Sequence, residues 1–296
     1  MSEQFKNQHI VPVSYLNHFG TKQKSGKYLI GARTVKDNKL SKPFRQSTEN
    51  VGYICNYYDV PEREDPKHWE HFLDEKFDRL CGQKLEHIIA HAAVSPNKTV
   101  ILDDDRKDLL SKIIISQILR VPDFFDFGYK KFQEVMKKTK GDLIDTFSAI
   151  AQDKVHIVEN LQVTNTQQKD MILTGAFDER RFEKYCNILK TKVWVAFYNC
   201  DYKKTPFVTC DNPVLVINQA GNKTGVFVNG LIQNDTFIFF PVSPAVMIAI
   251  YSPTILCGGI SLFNGMKVNL TSEEKFVSFI NRKLINQAFK HVFTKE

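Results

Sequence analysis

Short extended pieces come first, a long helical stretch follows, and antiparallel strands with one closing helix end the chain. This order predicts an α+β fold, built as a central helical bundle with small antiparallel β units near the N-terminus and in the C-terminal third. Three observations carry it. Runs rich in aromatic and β-branched residues fall at 27–35 and 52–60. Apolar residues recur at three- and four-residue steps from Trp69 to Ala93. Strand-like runs return after Pro206. A wound parallel sheet would interleave strands and helices instead.

In order, Gln8 to Gly20 opens with Pro12 suited to the first turn of a short helix. Pro12, Tyr15, Leu16 and Phe19 then share one face, and Gly20 is the stop. Lys27 to Val35 reads as a strand, Asp37-Asn38 as a turn, and Gly52 to Val60 as a second strand. Trp69 to Ala93 reads as one amphipathic helix. Asp103-Asp104-Asp105 opens the next, since acids suit the positive helix end. That helix runs to about Arg120, apolar on several sides, hence central and buried. Val121-Pro122 ends it, because the residue before proline disfavours the α region. The stretch from Phe124 to about Asn199 is mostly helical, with lysine runs typical of a solvated face. Strands follow at 206–210, 214–217, 236–240 and 245–251, with a loop at Gly221 to Gly225. Thr271 and Glu274 form a capping-box pattern for a closing helix that packs through Phe276, Phe279, Ile280, Leu284, Ala288 and Phe289.

At 296 residues the chain is long for one domain and short for two. We read 1–296 as a single elaborated domain, with possible lobes at 1–62 (β-rich), 63–200 (helical) and 201–296 (antiparallel β plus the closing helix). The net charge of +7 is mildly basic. It is compatible with nucleic acid or a nucleotide as partner, and equally with a solubility role. The six cysteines include no CxxC pair, which removes the zinc-ribbon spacing, and their apolar surroundings suit buried free thiols. The polar start lacks a signal-peptide core, and no apolar stretch is long enough to span a bilayer. The expectation is a cytoplasmic protein with no membrane partner.

No Walker loop, GxGxxG or HExxH is present, and Asp126-Phe127-Gly128 lacks the rest of a kinase set. His87 and His91, four apart, share a helix face that suits zinc, but no third ligand is evident, which favours boundary histidines. Gln117 and Arg120 lie together on the apolar helix. Burying an amide and a guanidinium there demands partners. Either they satisfy backbone groups and acids inside the core or they line a polar pocket. Asp211 and Asn212 sit at a strand end before a proline. They either organise the turn or present a carboxylate for a divalent metal or for base catalysis. His9 is either a core or capping residue or an acid/base group.

Five segments together carry a resemblance. They are Gln8-His9-Ile10-Val11-Pro12 with Tyr15-Leu16 and Phe19; Gln117-x-x-Arg120; Pro206-Phe207-Val208-Thr209-Cys210-Asp211-Asn212-Pro213-Val214; Phe240-Pro241-Val242-Ser243-Pro244; and Asn286-Gln287-Ala288. In order and spacing the chain resembles the bacterial family known as domain of unknown function 4238. Cys210 stands where that family usually has serine. The family also tends to carry glutamates in its first long helix, where Glu70 and Glu75 both stand.

The family has no established activity to carry over. The resemblance implies that His9, Gln117, Arg120, Asp211 and Asn212 belong to recurring motifs and converge in one site. Two functional expectations follow. One is an enzyme acting on nucleic acid or a nucleotide, a phosphodiester or nucleotide hydrolase of the defence or toxin-effector kind. His9, Arg120 and Asp211 would be catalytic, Asp211 would hold a divalent metal, and Gln117 and Asn212 would bind. The other is a non-catalytic small-ligand-binding or regulatory module, with aromatics lining the pocket. A common cleft for His9, Arg120 and Asp211 favours the first.

Overall fold

The computed structural model describes residues 7–36, 39–222, 230–231, 233–254 and 259–295. The Asp37-Asn38 turn, most of the 221–225 loop and Cys257 lie outside them. The described chain is an α+β mixture in which a helical layer covers one face of a five-stranded sheet.

β1 (Asn7–His9) is followed by the single-turn helix α1 (Val13–Leu16), which buries Tyr15 and Leu16. Next come β2 (Thr21–Lys22), β3 (Tyr28–Lys36), β4 (Lys39–Leu40), β5 (Phe44–Ser47) and β6 (Tyr53–Cys55). β6 is three residues long, shorter than the expected 52–60, and pairs antiparallel with β1. Beyond it Tyr58 takes its backbone N–H to the Gln8 side chain rather than to a ladder.

The expected helix from Trp69 to Ala93 is two helices, α2 (His68–Lys76) and α3 (Gln83–Val94), separated by a 3-10 turn at Asp78–Cys81. The Asp78 carbonyl accepts a hydrogen bond from Ser14 Oγ and its carboxylate meets Arg120. Both contacts pull the chain off the helical path where Gly82 offers little resistance. α4 (Asp104–Ile118) starts at an Asp103 cap and is buried from Leu110 on except at Lys112, as its apolarity on several sides predicts. Pro122 then opens α5 (Pro122–Ile150). α6 (Val155–Glu159), α7 (Asn165–Ala176) and α8 (Glu179–Lys190) complete the layer.

The helical stretch ends earlier than Asn199, because β7 (Val193–Asn199) is a strand in the interior of the sheet. β8 (Thr209–Cys210), β9 (Leu215–Asn218), β10 (Thr236–Pro241), β11 (Val246–Tyr251) and β12 (Met266–Leu270) follow. Then come α9 (Glu274–Gln287) and β13 (His291–Thr294). The sheet order is β12-β7-β11-β10-β9, antiparallel except for the parallel β12–β7 pair.

Alternate residues divide the core. Trp194, Ala196, Ile248 and Ile250 join the cluster under the helices. Val195, Phe197, Met247 and Ala249 join a second cluster closed by Val277, Ile280 and Leu284 of α9. Covered on both faces, these strands read as continuous apolar runs. A second sheet, β2-β3-β13-β8, also pairs β3 with β4 and β5. It joins the two ends of the chain, since β13 lies between β3 and β8.

Three further expectations are corrected. α9 has no side-chain cap from Thr271, its N-cap being Glu273. Phe289 is largely exposed because the chain leaves the helix before reaching it. Cys55 and Cys200 are exposed, whereas Cys81, Cys186 and Cys210 are buried. Among the described residues no helix is long and apolar enough to cross a membrane.

Candidate functional site

The Gln8-His9-Ile10 backbone is held from two sides. On one side β1 pairs with β6, and the Ile10 and Val11 N–H groups donate to the Gly52 carbonyl at 2.9 and 3.2 Å. Gly52 has φ +69°, and a Cβ there would press on Leu16, so glycine suits this approach. On the other side stands the end of α4. Gln117 Nε2 donates to the Ile10 carbonyl at 2.7 Å, and Arg120 Nη2 donates to the His9 carbonyl at 2.6 Å. Three residues apart at a helix end, they occupy neighbouring surface and reach successive carbonyls of one extended strand.

Gln8 is fully buried and fully engaged. Its Oε1 accepts from the Tyr58 N–H at 2.5 Å. Its Nε2 donates to Asp59 Oδ1 at 2.5 Å and Glu70 Oε2 at 3.0 Å. The rest of Arg120 is equally committed. It forms a bidentate pair with Asp78, and its Nε donates to Tyr58 Oη at 3.3 Å. Burial raises the Asp78 carboxyl from its ordinary value, and the Arg120 charge opposes the rise. Burial likewise pushes the Tyr58 phenol up to about 12.

His9 differs. Its Nε2 is buried and has no hydrogen-bond partner among the described residues. The ring meets Tyr53 edge-on at 5.9 Å. Burial, aided by the Arg120 charge and opposed by a hydrogen bond to the Glu49 backbone, lowers its pKa to about 4. The imidazole is therefore neutral near pH 7. With Nε2 unpartnered, the Glu49 contact falls to Nδ1, which leaves the Nε2 lone pair to accept a hydrogen bond.

His9, Tyr58, Asp78 and Arg120 line a cleft of about 800 Å³ together with Ser14, Asn17, Lys67, Glu70, His71, Asp74 and Arg79. Of the two first-helix glutamates, Glu70 faces this cleft, and burial raises its carboxyl.

Asp211 and Asn212 are not in it. Asp211 is 2% exposed. Its Oδ1 accepts from the Phe289 N–H at 2.7 Å, and its Oδ2 accepts from Lys290 and His291 N–H at 2.6 and 2.7 Å. Burial pushes its pKa up to about 6 against these three donors. Asn212 accepts from Gln287 Nε2 at 2.5 Å and reaches Asp123 at 3.4 Å. The structure thus does not bring Asp211 to the imidazole and guanidinium in the His9 cleft, and its carboxylate faces backbone donors. A carboxylate facing three backbone donors organises the turn between α9 and β13. Gln117 is spent on backbone. His87 is exposed, and no group of three or more acids, cysteines or histidines with metal-holding geometry occurs among the described residues.

The motifs meet one another instead. Gln117 and Arg120 serve the first motif, and Gln287 serves Asn212. Tyr15 joins the remainder, donating to the Pro241 carbonyl at 2.6 Å and bonding Thr209 Oγ1 at 2.7 Å. Sequence reasoning missed Gln8, Tyr58 and Asp78. The unpaired charge expected of a buried arginine called for an acid, but nothing in the sequence pointed to Asp78.

A family model described as "Protein of unknown function (DUF4238)" matches residues 7–296. No curated protein and no solved structure matches the chain.

Proposed function

For a chain that belongs to the DUF4238 family, we propose a small-ligand-binding role seated in the His9 cleft. The observation that carries this reading is the His9 Nε2 atom, buried and without a partner at a polar cleft wall. A buried polar atom left unpaired costs about 1–3 kcal/mol, a cost that a bound donor would remove. Arg120 is consumed by Asp78, Tyr58 and His9, so the cleft floor offers acceptors rather than a free guanidinium. Such a surface suits hydroxyl or amino donors. Half-buried Lys67 and exposed Arg79, the latter paired with Asp74 at 3.0 Å, stand towards solvent. A ribonucleotide, sugar hydroxyls inward and phosphate outward, fits that layout.

The test is calorimetric titration with ribonucleosides and nucleoside monophosphates, using wild type, His9→Leu and His9→Gln. Binding is expected in the wild type, lost in His9→Leu and partly kept in His9→Gln. The melting temperature of His9→Leu is expected to hold or rise, because an unpaired polar atom has been removed. Equal affinity in His9→Leu would sink the reading.

A second reading has its own support. His9, neutral near pH 7, and Glu70, a half-buried carboxyl raised from its ordinary value by burial, line one cleft as two titratable groups pushed in opposite directions. That pair suits hydrolysis of a bound phosphodiester or nucleotide. Turnover of bis(p-nitrophenyl) phosphate, abolished together by His9→Gln and Glu70→Gln, would favour it over binding alone.

A further inference from the structure

A second concavity, distinct from the polar cleft, lies within the helical layer. α4, α5, α7 and α8 leave between them a cavity of about 720 Å³. Its walls include Ile115 and Ile118 of α4, Phe127 and Phe132 of α5, Ile172 of α7 and Tyr185 of α8. At one point α5 and α7 are in close contact, since a Cβ on Gly128 would come 2.9 Å from Ile172. The helices therefore touch there and diverge beside it.

The lining has a direction. Ile115 and Ile118 are 1% and 5% exposed and form the inner end. Lys131 and Arg181, both exposed, line the solvent side together with exposed Val135 and Met171. Among the described residues Lys131 pairs with Glu134 on the same helix, an exposed contact of 2.7 Å. Such pairs contribute little and exchange readily. Arg181 reaches no closer than 3.4 Å to the Gly175 carbonyl. The volume falls in the range of ~300–1,000 Å³ typical of pockets that enclose small ligands.

We propose that this cavity binds a single-chain amphipathic anion, its hydrocarbon body among the α4 and α5 side chains and its anionic head against Lys131 and Arg181. The apolar inner end excludes a charged or heavily hydroxylated molecule. The two cations at the mouth distinguish a headgroup anion from a plain hydrocarbon. This site shares no lining residue with the His9 cleft.

The experiment is calorimetric titration of the full chain with decanoate, decyl phosphate and decanol, below their aggregation concentrations. Wild type is compared with Met136→Trp, which fills the mouth from a half-buried position, and with Lys131→Gln/Arg181→Gln. Saturable binding of both anions is expected, weakened about tenfold or more by Met136→Trp. The charge variant is expected to weaken the anions and leave decanol unchanged. Decanoate is also expected to raise the melting temperature of the wild type and not of Met136→Trp. Each of four results would overturn the proposal. They are absence of saturable anion binding, unchanged binding in Met136→Trp, no difference between decanol and decanoate in the charge variant, and binding to anionic phospholipid vesicles without binding of free decanoate. Light scattering on the same samples supplies a fifth, namely self-association abolished by Met136→Trp, which would make the cavity an interface between copies.

Discussion

Arg120→Met tests the polar clamp most directly. The guanidinium is 2% exposed and its partner Asp78 18% exposed. Removing one member of a buried ion pair strands the other and costs about 3–5 kcal/mol. The His9 carbonyl also loses its donor, which adds about 1–3 kcal/mol. The sum, about 4–8 kcal/mol, rivals the whole stability of many domains. Arg120→Met should therefore unfold at far lower urea than wild type. In Arg120→Met/Asp78→Leu no charge is stranded, so about 2 kcal/mol or more of the loss should return. Urea unfolding of the wild type, both single variants and the double variant measures this, with Trp69 and Trp194 as fluorescent reporters. The reasoning fails if Arg120→Met costs under about 1 kcal/mol, or if the two single losses simply add.

Other perturbations read other parts of the network. His9 has a folded pKa of about 4 against 6.5 for the free side chain, so the folded state binds its proton less tightly. Its contribution is present above pH 6.5 and lost as pH falls towards 4, by about 3 kcal/mol. Stability curves of wild type and His9→Gln should diverge in that window, and parallel curves would refute the shift. Asp211→Asn should cost about 2–3 kcal/mol in chemical denaturation, because an amide cannot accept from all three backbone donors. Tyr15→Phe removes the bonds to Thr209 and Pro241 and should cost about 1–2 kcal/mol in the same assay.

Periodicity located most elements because burial imposes it. α4 is legible because its second half is buried on several sides, and β9 to β11 because both faces of the sheet are covered. β12 and β13 escaped notice. β12 carries Lys267 and Asn269 between its apolar residues, and β13 is four residues long, too short to show a period of its own. The break between α2 and α3 was illegible for a different reason. Its causes, Ser14 and Arg120, are remote in sequence. At the site, the requirement that Gln117 and Arg120 have partners was readable from apolar surroundings, and the structure satisfies it with backbone carbonyls and Asp78. The expectation that recurring polar motifs share one pocket did not survive for Asp211. Recurrence marks any irreplaceable contact, and here most of those contacts are between motifs.

The position of β13 has a consequence for the order of events in the cell. β3 is made well before β13, the strand that covers one of its edges. At roughly 5–20 residues per second, that edge waits on the order of ten seconds or more for its partner. The Asp211 carboxylate, made before the N–H groups it captures, waits as well. Until β13 is made, a nascent chain presents an open strand edge, the kind of surface that pairs with other chains. Closure of the small sheet therefore follows the synthesis of every other strand in it.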